Sequence, residues 1–283
     1  MWLVLLSFHL IGFVGYNLLL RKSITEKIDR FTLATIMQTG ITIPLLFTLF
    51  YKVPALNRYD LKTTLLVIGL TGFTILLHVT NTMALNYLEA GVYSVLYNLR
   101  ILFATVLGIV FLGEKTDLIR ILGGLLILVA IVIVRQKGSK VLLEKGFSWG
   151  LSAAVTISFL NLFEKSTIDR IGYLGYAAPA MLSAMLIMWG YLFYRDRKIN
   201  FKIFLQPQII RLMIFRDMSA FGFTLALVYG GLISVSNYIS SMGVIFLVAL
   251  GAIFLGERDY LRQKIFATIV AVAGVTIVLL TSL

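Results

Sequence analysis

The sequence predicts an all-α polytopic membrane protein, with ten transmembrane helices arranged as two inverted-topology repeats of five. Three observations predict it. The 283-residue chain is 59% hydrophobic and only 13% charged, with a mean hydropathy of +0.95. A soluble domain carries about a quarter of its residues as charges, so the solvent around this chain must largely be lipid. Ten long apolar runs follow one another, and short motifs recur in the same order at nearly one spacing.

The runs cover 2–20, 31–51, 63–86, 90–112, 118–134, 147–164, 172–194, 208–230, 232–255 and 262–281. Each approaches the ~20 residues a helix needs to cross a bilayer. Barrel strands alternate apolar and polar residues over about ten positions, and these runs are longer and unbroken. The first run has no basic segment ahead of it and no small-residue cleavage pattern. Its charges, Arg21 and Lys22, come afterwards, so it reads as a retained anchor and not a signal peptide. Only Tyr87, Leu88 and Glu89 separate runs three and four, and Gly230–Gly231 separates eight and nine. Joins this short make antiparallel neighbours. Run eight is interrupted by Arg211, Arg216 and Asp217. A surface helix over 201–217 is its other reading, and the repeat favours the span. Gly146 and Gly150 form a small-xxx-small pair expected to mark helix packing within the chain.

The net charge of +12 belongs to loops that face the cytoplasm, not to a nucleic-acid surface. Odd-numbered loops carry fifteen Lys and Arg, even-numbered loops seven. The positive-inside rule then puts both termini outside the cytoplasmic membrane. The chain has no cysteine, which excludes a disulfide framework and thiol chemistry.

FLGEK at 111–115 returns as FLGER at 254–258, an offset of 143. Lys22–Ser23 matches Lys165–Ser166 at the same offset, and ALNY at 84–87 matches ALVY at 226–229 at 142. These matches imply two five-span halves, 1–140 and 141–283. Five is odd, so the second half enters the membrane from the opposite side. Inverted repeats of this kind build a midplane site where the halves meet.

The LGE tripeptide closing the fourth span of each half precedes a Gly- or Ala-rich fifth span (Gly123–Gly124, then Ala267 and Gly274). In this the whole chain resembles the drug/metabolite transporter superfamily of the EamA type. The resemblance implies a carrier whose spans one, three, four, six, eight and nine line the cavity. Many such proteins have a proline in mid-span four and nine, where this chain reads YNLRILF and SSMGVIF. NLRILF is similar to the basic-plus-IL segment of nucleotide-sugar and sugar-phosphate carriers.

Polar stripes fall on the same spans. Residues three, four and seven apart share a helix face. Glu89, Tyr93, Tyr97 and Arg100 do so in span four, and Thr71, Thr74, His78 and Asn81 in span three. Span nine offers Ser234, Asn237, Tyr238 and Ser241; span one His9, Tyr16 and Asn17; span six Ser158, Asn161 and Glu164. A charge at the bilayer centre costs ~2.5–3.5 kcal/mol on insertion scales, so Arg100 must face protein or water. The candidate substrate-binding residues are Arg100, Tyr97, Tyr93, His78, Asn81, Asn17, Asn237, Tyr238, Arg216 and Asp217.

Two readings of Arg100 stand. It binds an anionic group on a substrate, for which the planar guanidinium is suited, or it pairs with Asp217 across a helix interface. His78 and His9 carry protons or simply pack through hydrogen bonds. Glu164 beside Lys165 reads as a local surface pair, and Glu114 and Glu257 as turn formers, the glycine ending one helix and the acid meeting the N-terminus of the next.

No HExxH, GxSxG, Walker loop or clustered metal ligands occur, so neither a metal nor a cofactor is expected, and any energy comes from a coupling ion or a counter-substrate. The expected activity is secondary transport of a small polar metabolite by alternating access, with membrane lipids as the other partner. The rival readings are an integral-membrane enzyme acting on a lipid phosphate and a lipid-handling or scaffold protein.

Overall fold

The structure, a computed structural model, describes residues 2–25, 28–48, 59–112, 118–135, 140–196, 201–229 and 233–280. These residues are helical with no strand. The helices are α1 (Trp2–Thr25), α2 (Arg30–Thr48), α3 (Leu61–Tyr87), α4 (Ala90–Tyr97), α5 (Leu99–Leu112), α6 (Leu118–Arg135), α7 (Lys140–Ile171), α8 (Tyr173–Arg195), α9 (Pro207–Val228), α10 (Ile233–Phe254) and α11 (Leu261–Leu280). Among the described residues, four stretches suffice by length and composition to cross a bilayer: Trp2–Ile24, Leu61–Tyr87, Lys145–Ile168 and Tyr173–Arg195. Ala90–Phe103 and Met242–Phe254 are shorter apolar helices. The outer faces of the described helices are apolar, with Phe47, Ile68, Val110, Ile187, Ile253 and Ile269 all exposed. A water-facing surface would not be built so; a multi-pass membrane protein's is.

Helix ends follow local chemistry. Asp60 caps α3 by accepting from the Thr63 amide at 2.8 Å. Pro207 opens α9, where its missing N–H costs nothing. Gly256 stops α10 at φ +69°, the left-handed conformation that glycine adopts without strain, and the Glu257 amide donates to the Gly251 carbonyl at 3.2 Å. The segment before α9 is a short 3-10 turn, Phe201–Leu205. Its Phe201 and Phe204 stack on Trp189 of α8 at 5.8 and 5.3 Å. The surface-helix alternative for 201–217 therefore does not hold: Ile209 and Leu212 are fully buried and α9 packs along α1.

The fourth run is not one helix. It divides at Asn98, whose amide donates to the Val95 carbonyl at 3.2 Å and whose own carbonyl accepts from Ile101 at 3.0 Å. Asparagine competes with helical backbone bonding, and a tight turn inside an apolar helix often marks a functional hinge.

The tightest partnerships are α1 with α9, α3 with α7, α6 with α11 and α2 with α8. Glycines let the first of these approach to backbone contact. A Cβ on Gly12 would lie 2.4 Å from the Ser219 nitrogen, and one on Gly222 2.8 Å from the His9 nitrogen. Gly146 and Gly150 do pack within the chain, against Leu88 and Leu96 beside the α3–α4 turn. Two aromatic contacts cross these interfaces. The Arg216 guanidinium lies over the Tyr16 ring at 5.2 Å, and Phe73 stacks on Phe159 at 5.5 Å. Between α2 and α8, the Gln38 side-chain amide donates to the Met181 carbonyl at 2.9 Å.

Ionic groups gather at the two ends of the bundle. At the first end Arg21 donates from Nε to Glu257 at 3.1 Å and from Nη1 to the Leu85 and Asn86 carbonyls at 2.6 and 3.3 Å. The other Glu257 oxygen accepts from the Ala90 amide at 3.0 Å. Lys264 pairs with Glu89 and donates to the Glu257 carbonyl at 2.9 Å. Glu257 was expected to meet the helix that follows it. It caps α4 instead, whose own N-cap Glu89 makes no side-chain cap bond. At the second end Arg170 binds Asp60 at 2.5 Å, and the Tyr59 hydroxyl donates to the Gly175 carbonyl at 2.7 Å. Glu114 and the Gly230–Gly231 join lie outside the described residues.

Candidate functional site

The centre of the bundle holds Arg100, and its surroundings answer where an arginine goes in an apolar run. Nη2 donates to the Ser240 hydroxyl on α10 at 3.0 Å, and the guanidinium sits 4.8 Å from the centre of the Tyr97 ring. Its backbone carbonyl accepts from Ser158 on α7 at 2.9 Å. All of these contacts are protein, so the side chain points inward and away from lipid. Its Nε is buried and lacks a partner.

Ser240 passes the connection on. Its hydroxyl meets His9 Nε2 at 2.9 Å, and His9 Nδ1 lies 2.7 Å from the Ser219 carbonyl. A carbonyl only accepts, so Nδ1 carries the proton and Nε2 accepts from Ser240. His9 is thus fully committed to tying α1 to α9 and α10, which is the packing role of the two weighed for it. His78, on α3, is buried.

Tyr93 donates to Asn81 Oδ1 and its ring lies 5.5 Å from that of Tyr97, so α3 and α4 join the same cluster. Asn17 is buried on α1, where its amide donates to the Phe13 carbonyl at 2.7 Å and its Oδ1 has no partner. Arg216 approaches from α9 above Tyr16. Both guanidiniums lie within electrostatic reach of His9, Tyr93 and Tyr97. Asn237 and Tyr238 belong to α10, and their side chains lie outside the described residues.

Asp217 is the correction. Among the described residues no ion pair joins it to Arg100. Its Oδ1 is buried and unpartnered and lies 3.4 Å from where a Cβ on Gly40 of α2 would stand. Consecutive residues on a helix point about 100° apart, so with Arg216 over Tyr16 its neighbour is turned toward α2. Glu164 departs from expectation too: it accepts from the Tyr176 hydroxyl of α8 at 2.8 Å, so it reaches an inward partner. The side chain of Lys165 lies outside the described residues.

Chemically, the cluster presents two guanidiniums, tyrosine rings and amide or hydroxyl groups from seven helices. No described carboxylate neutralises either arginine by direct pairing, which leaves a field favourable to an anion. Among the described residues no three His, Cys, Asp or Glu side chains group as a metal site. A separate cavity of about 220 Å³ opens near the first end, lined by Asp29, Arg30, Phe31, Val79, Thr82, Met83 and Arg195; it does not touch the Arg100 cluster.

Of the comparisons with known proteins, the family match is the one that points to a transporter. One crystal structure superposes over 98% of this chain and 98% of its own, with a TM-score of 0.61 and 14% identity, a likeness of fold alone. No curated protein matches. The family comparison matches residues 1–136 to the EamA-like transporter family. Over those residues, just under half of its length, the chain is similar to the EamA-like transporters, a family of membrane proteins that move small molecules.

Proposed function

We propose that this protein is a ten-span secondary transporter of the cytoplasmic membrane, built of inverted halves 1–140 and 141–283, that moves a small polar metabolite bearing an anionic group. Three features support the halves. Shifting the partners of each close helix pair by 143, up from the first half and down from the second, gives another observed pair: α1 with α9 becomes α7 with α3, and α2 with α8 and α6 with α11 return to themselves. The same step carries Tyr16 and Arg216 onto Phe159 and Phe73, the other stacked contact. Gln38 and Met181, 143 apart, bond to each other, as equivalent residues do on a two-fold axis. Loop charge then assigns the first end, with Arg21 and Arg195, to the cytoplasm.

The observation that carries the substrate reading is Arg100. It is a membrane-depth guanidinium that faces protein and is held by a serine and a tyrosine ring in place of a carboxylate. Charges kept at such cost are functional by default, and alternating access about a midplane site uses them on the cargo. The test is a thermal-shift screen of the purified protein against amino acids, organic acids, sugar phosphates and nucleotide sugars, since a ligand that binds only the folded state raises apparent stability. A stabilising ligand should be lost on Arg100→Ala and partly retained on Arg100→Lys. Equal stabilisation of the Ala variant refutes the binding role.

A further inference from the structure

The repeat places Glu164 where the first half has Arg21: the offset that matches Lys22–Ser23 to Lys165–Ser166 matches the residues just before them. Arg21 is a donor. It fastens the first end by bonding the Leu85 and Asn86 carbonyls at 2.6 and 3.3 Å and Glu257 at 3.1 Å. By the ALNY–ALVY match, the corresponding backbone at the second end is Leu227 and Val228, at the end of α9. A carboxylate has no proton to offer a carbonyl; a carboxylic acid has one. In this structure Glu164 does what only an acceptor can do, taking the Tyr176 hydroxyl at 2.8 Å.

We infer that Glu164 is a proton-binding site, and that its protonation lets the second end close as the first end is closed here. The inference rests on the alternating-access reading above. When the second end is open, the carboxylate accepts from Tyr176. It then takes one proton from water and becomes the neutral acid, and its single O–H donates to a carbonyl at the end of α9. Reopening returns the proton and restores the Tyr176 bond. The tyrosine keeps its own proton throughout, so one proton is bound per closure.

The surroundings permit this. From α8, Tyr176 and Tyr173 face the site, their rings 5.6 Å apart, and Tyr173 lies near Thr224 of α9. From α3 come Phe73, packed on Phe163 at 5.2 Å, and Asp60 nearer the end. Arg170, further along α7, is committed to Asp60 and Thr63 at 2.5 and 3.1 Å. Arg100 of α5 approaches α7 at Ser158, toward the bundle centre.

The chain has no cysteine, so pairs of spin labels can be placed without background. One pair, Ile168→Cys with Tyr229→Cys, uses exposed positions at the second end. The other, Lys22→Cys with Asp259→Cys, spans the first end. Distances are read by double electron–electron resonance in lipid nanodiscs between about pH 5 and pH 9, a range around carboxyl and histidine titration. For one proton, the closed-to-open ratio at the second end should rise up to about tenfold per unit of acidification within the titration, while the first-end pair separates. Glu164→Gln, a permanent neutral donor, should hold the short second-end distance at every pH, and Tyr176→Phe should move the midpoint to higher pH. A Gln variant that responds like the parent, or a Phe variant with an unmoved midpoint, overturns the inference. If the pairs move in Glu257→Gln but never with pH, the proton site falls and alternating access stands. If they move under neither change, alternating access falls and the inference with it.

Discussion

Replacing Glu257 tests whether one acid holds the first end together. Its two oxygens have separate tasks: one accepts from Arg21 at 3.1 Å, the other from the Ala90 amide at 3.0 Å. The two side chains are only 17% and 10% exposed, so water replaces neither bond freely. A hydrogen bond to a charged group contributes ~1.5–3 kcal/mol and a lost helix cap costs ~1 kcal/mol. Arg21 keeps its two carbonyls, which limits the damage. Glu257→Ala should therefore cost about 3 kcal/mol, and Glu257→Gln, which retains one acceptor oxygen, about half of that. The assay is denaturant unfolding in mild detergent micelles, closed into a cycle with Arg21→Ala. The pair should show about 1–2 kcal/mol of coupling, as contacting residues do. Burial holds the Glu257 carboxyl above the usual carboxylate range, although Arg21 opposes it. Wild-type stability should then fall as pH rises through that raised range, since the native state binds the proton more tightly, and the Gln variant should lack that slope. A cost below about 0.5 kcal/mol for Ala, or additive single effects, would refute the reasoning.

Gly222→Ala should destabilise by about 1–3 kcal/mol through overpacking, because its Cβ would meet the His9 nitrogen at 2.8 Å, while Gly190→Ala, with nothing within 4 Å, should be neutral or better in the same unfolding assay. Ser240→Ala strands both Arg100 and His9, which it bonds at 3.0 and 2.9 Å; the expected loss is about 1–3 kcal/mol for each polar group left unpaired, and a neutral result would mean that the relay is not formed. Asp29 is partly buried, which opposes its ionisation, but bonds from Arg195 and Thr32 win and hold its carboxyl below the ordinary 3.8. Its contribution, about 1 kcal/mol or less for so exposed a pair, is present above that value and lost as pH falls through the lowered one. Melts of Asp29→Asn should lack that acid-side decline.

The apolar runs made the helices legible, because length and hydropathy suffice to recognise a membrane segment. The helical period gave the inward stripes too, and Arg100, Tyr93, Tyr97, Asn81 and His9 do meet at the centre. What period cannot supply is the partner across an interface. Arg100 was weighed against Asp217, but the adjacent residues 216 and 217 diverge by the helical twist, and Asp217 is aimed at Gly40. Glu164 reads as a surface acid because Lys165 follows it, whereas the fold brings Tyr176 to it across the α7–α8 turn. Glu257 caps a helix 167 positions away, a connection that only packing creates. The break at Asn98 had a signal, an asparagine in an apolar run, which hydropathy alone passes over.

The tightest partnerships, α1 with α9, α3 with α7, α2 with α8 and α6 with α11, all join residues before 140 to residues from 140 onward. The first five segments alone would therefore have little to fold against. On the proposed duplicated plan, a lone half would lack a monomeric form, and an antiparallel pair of identical halves would supply each with the packing partner that the other half provides here.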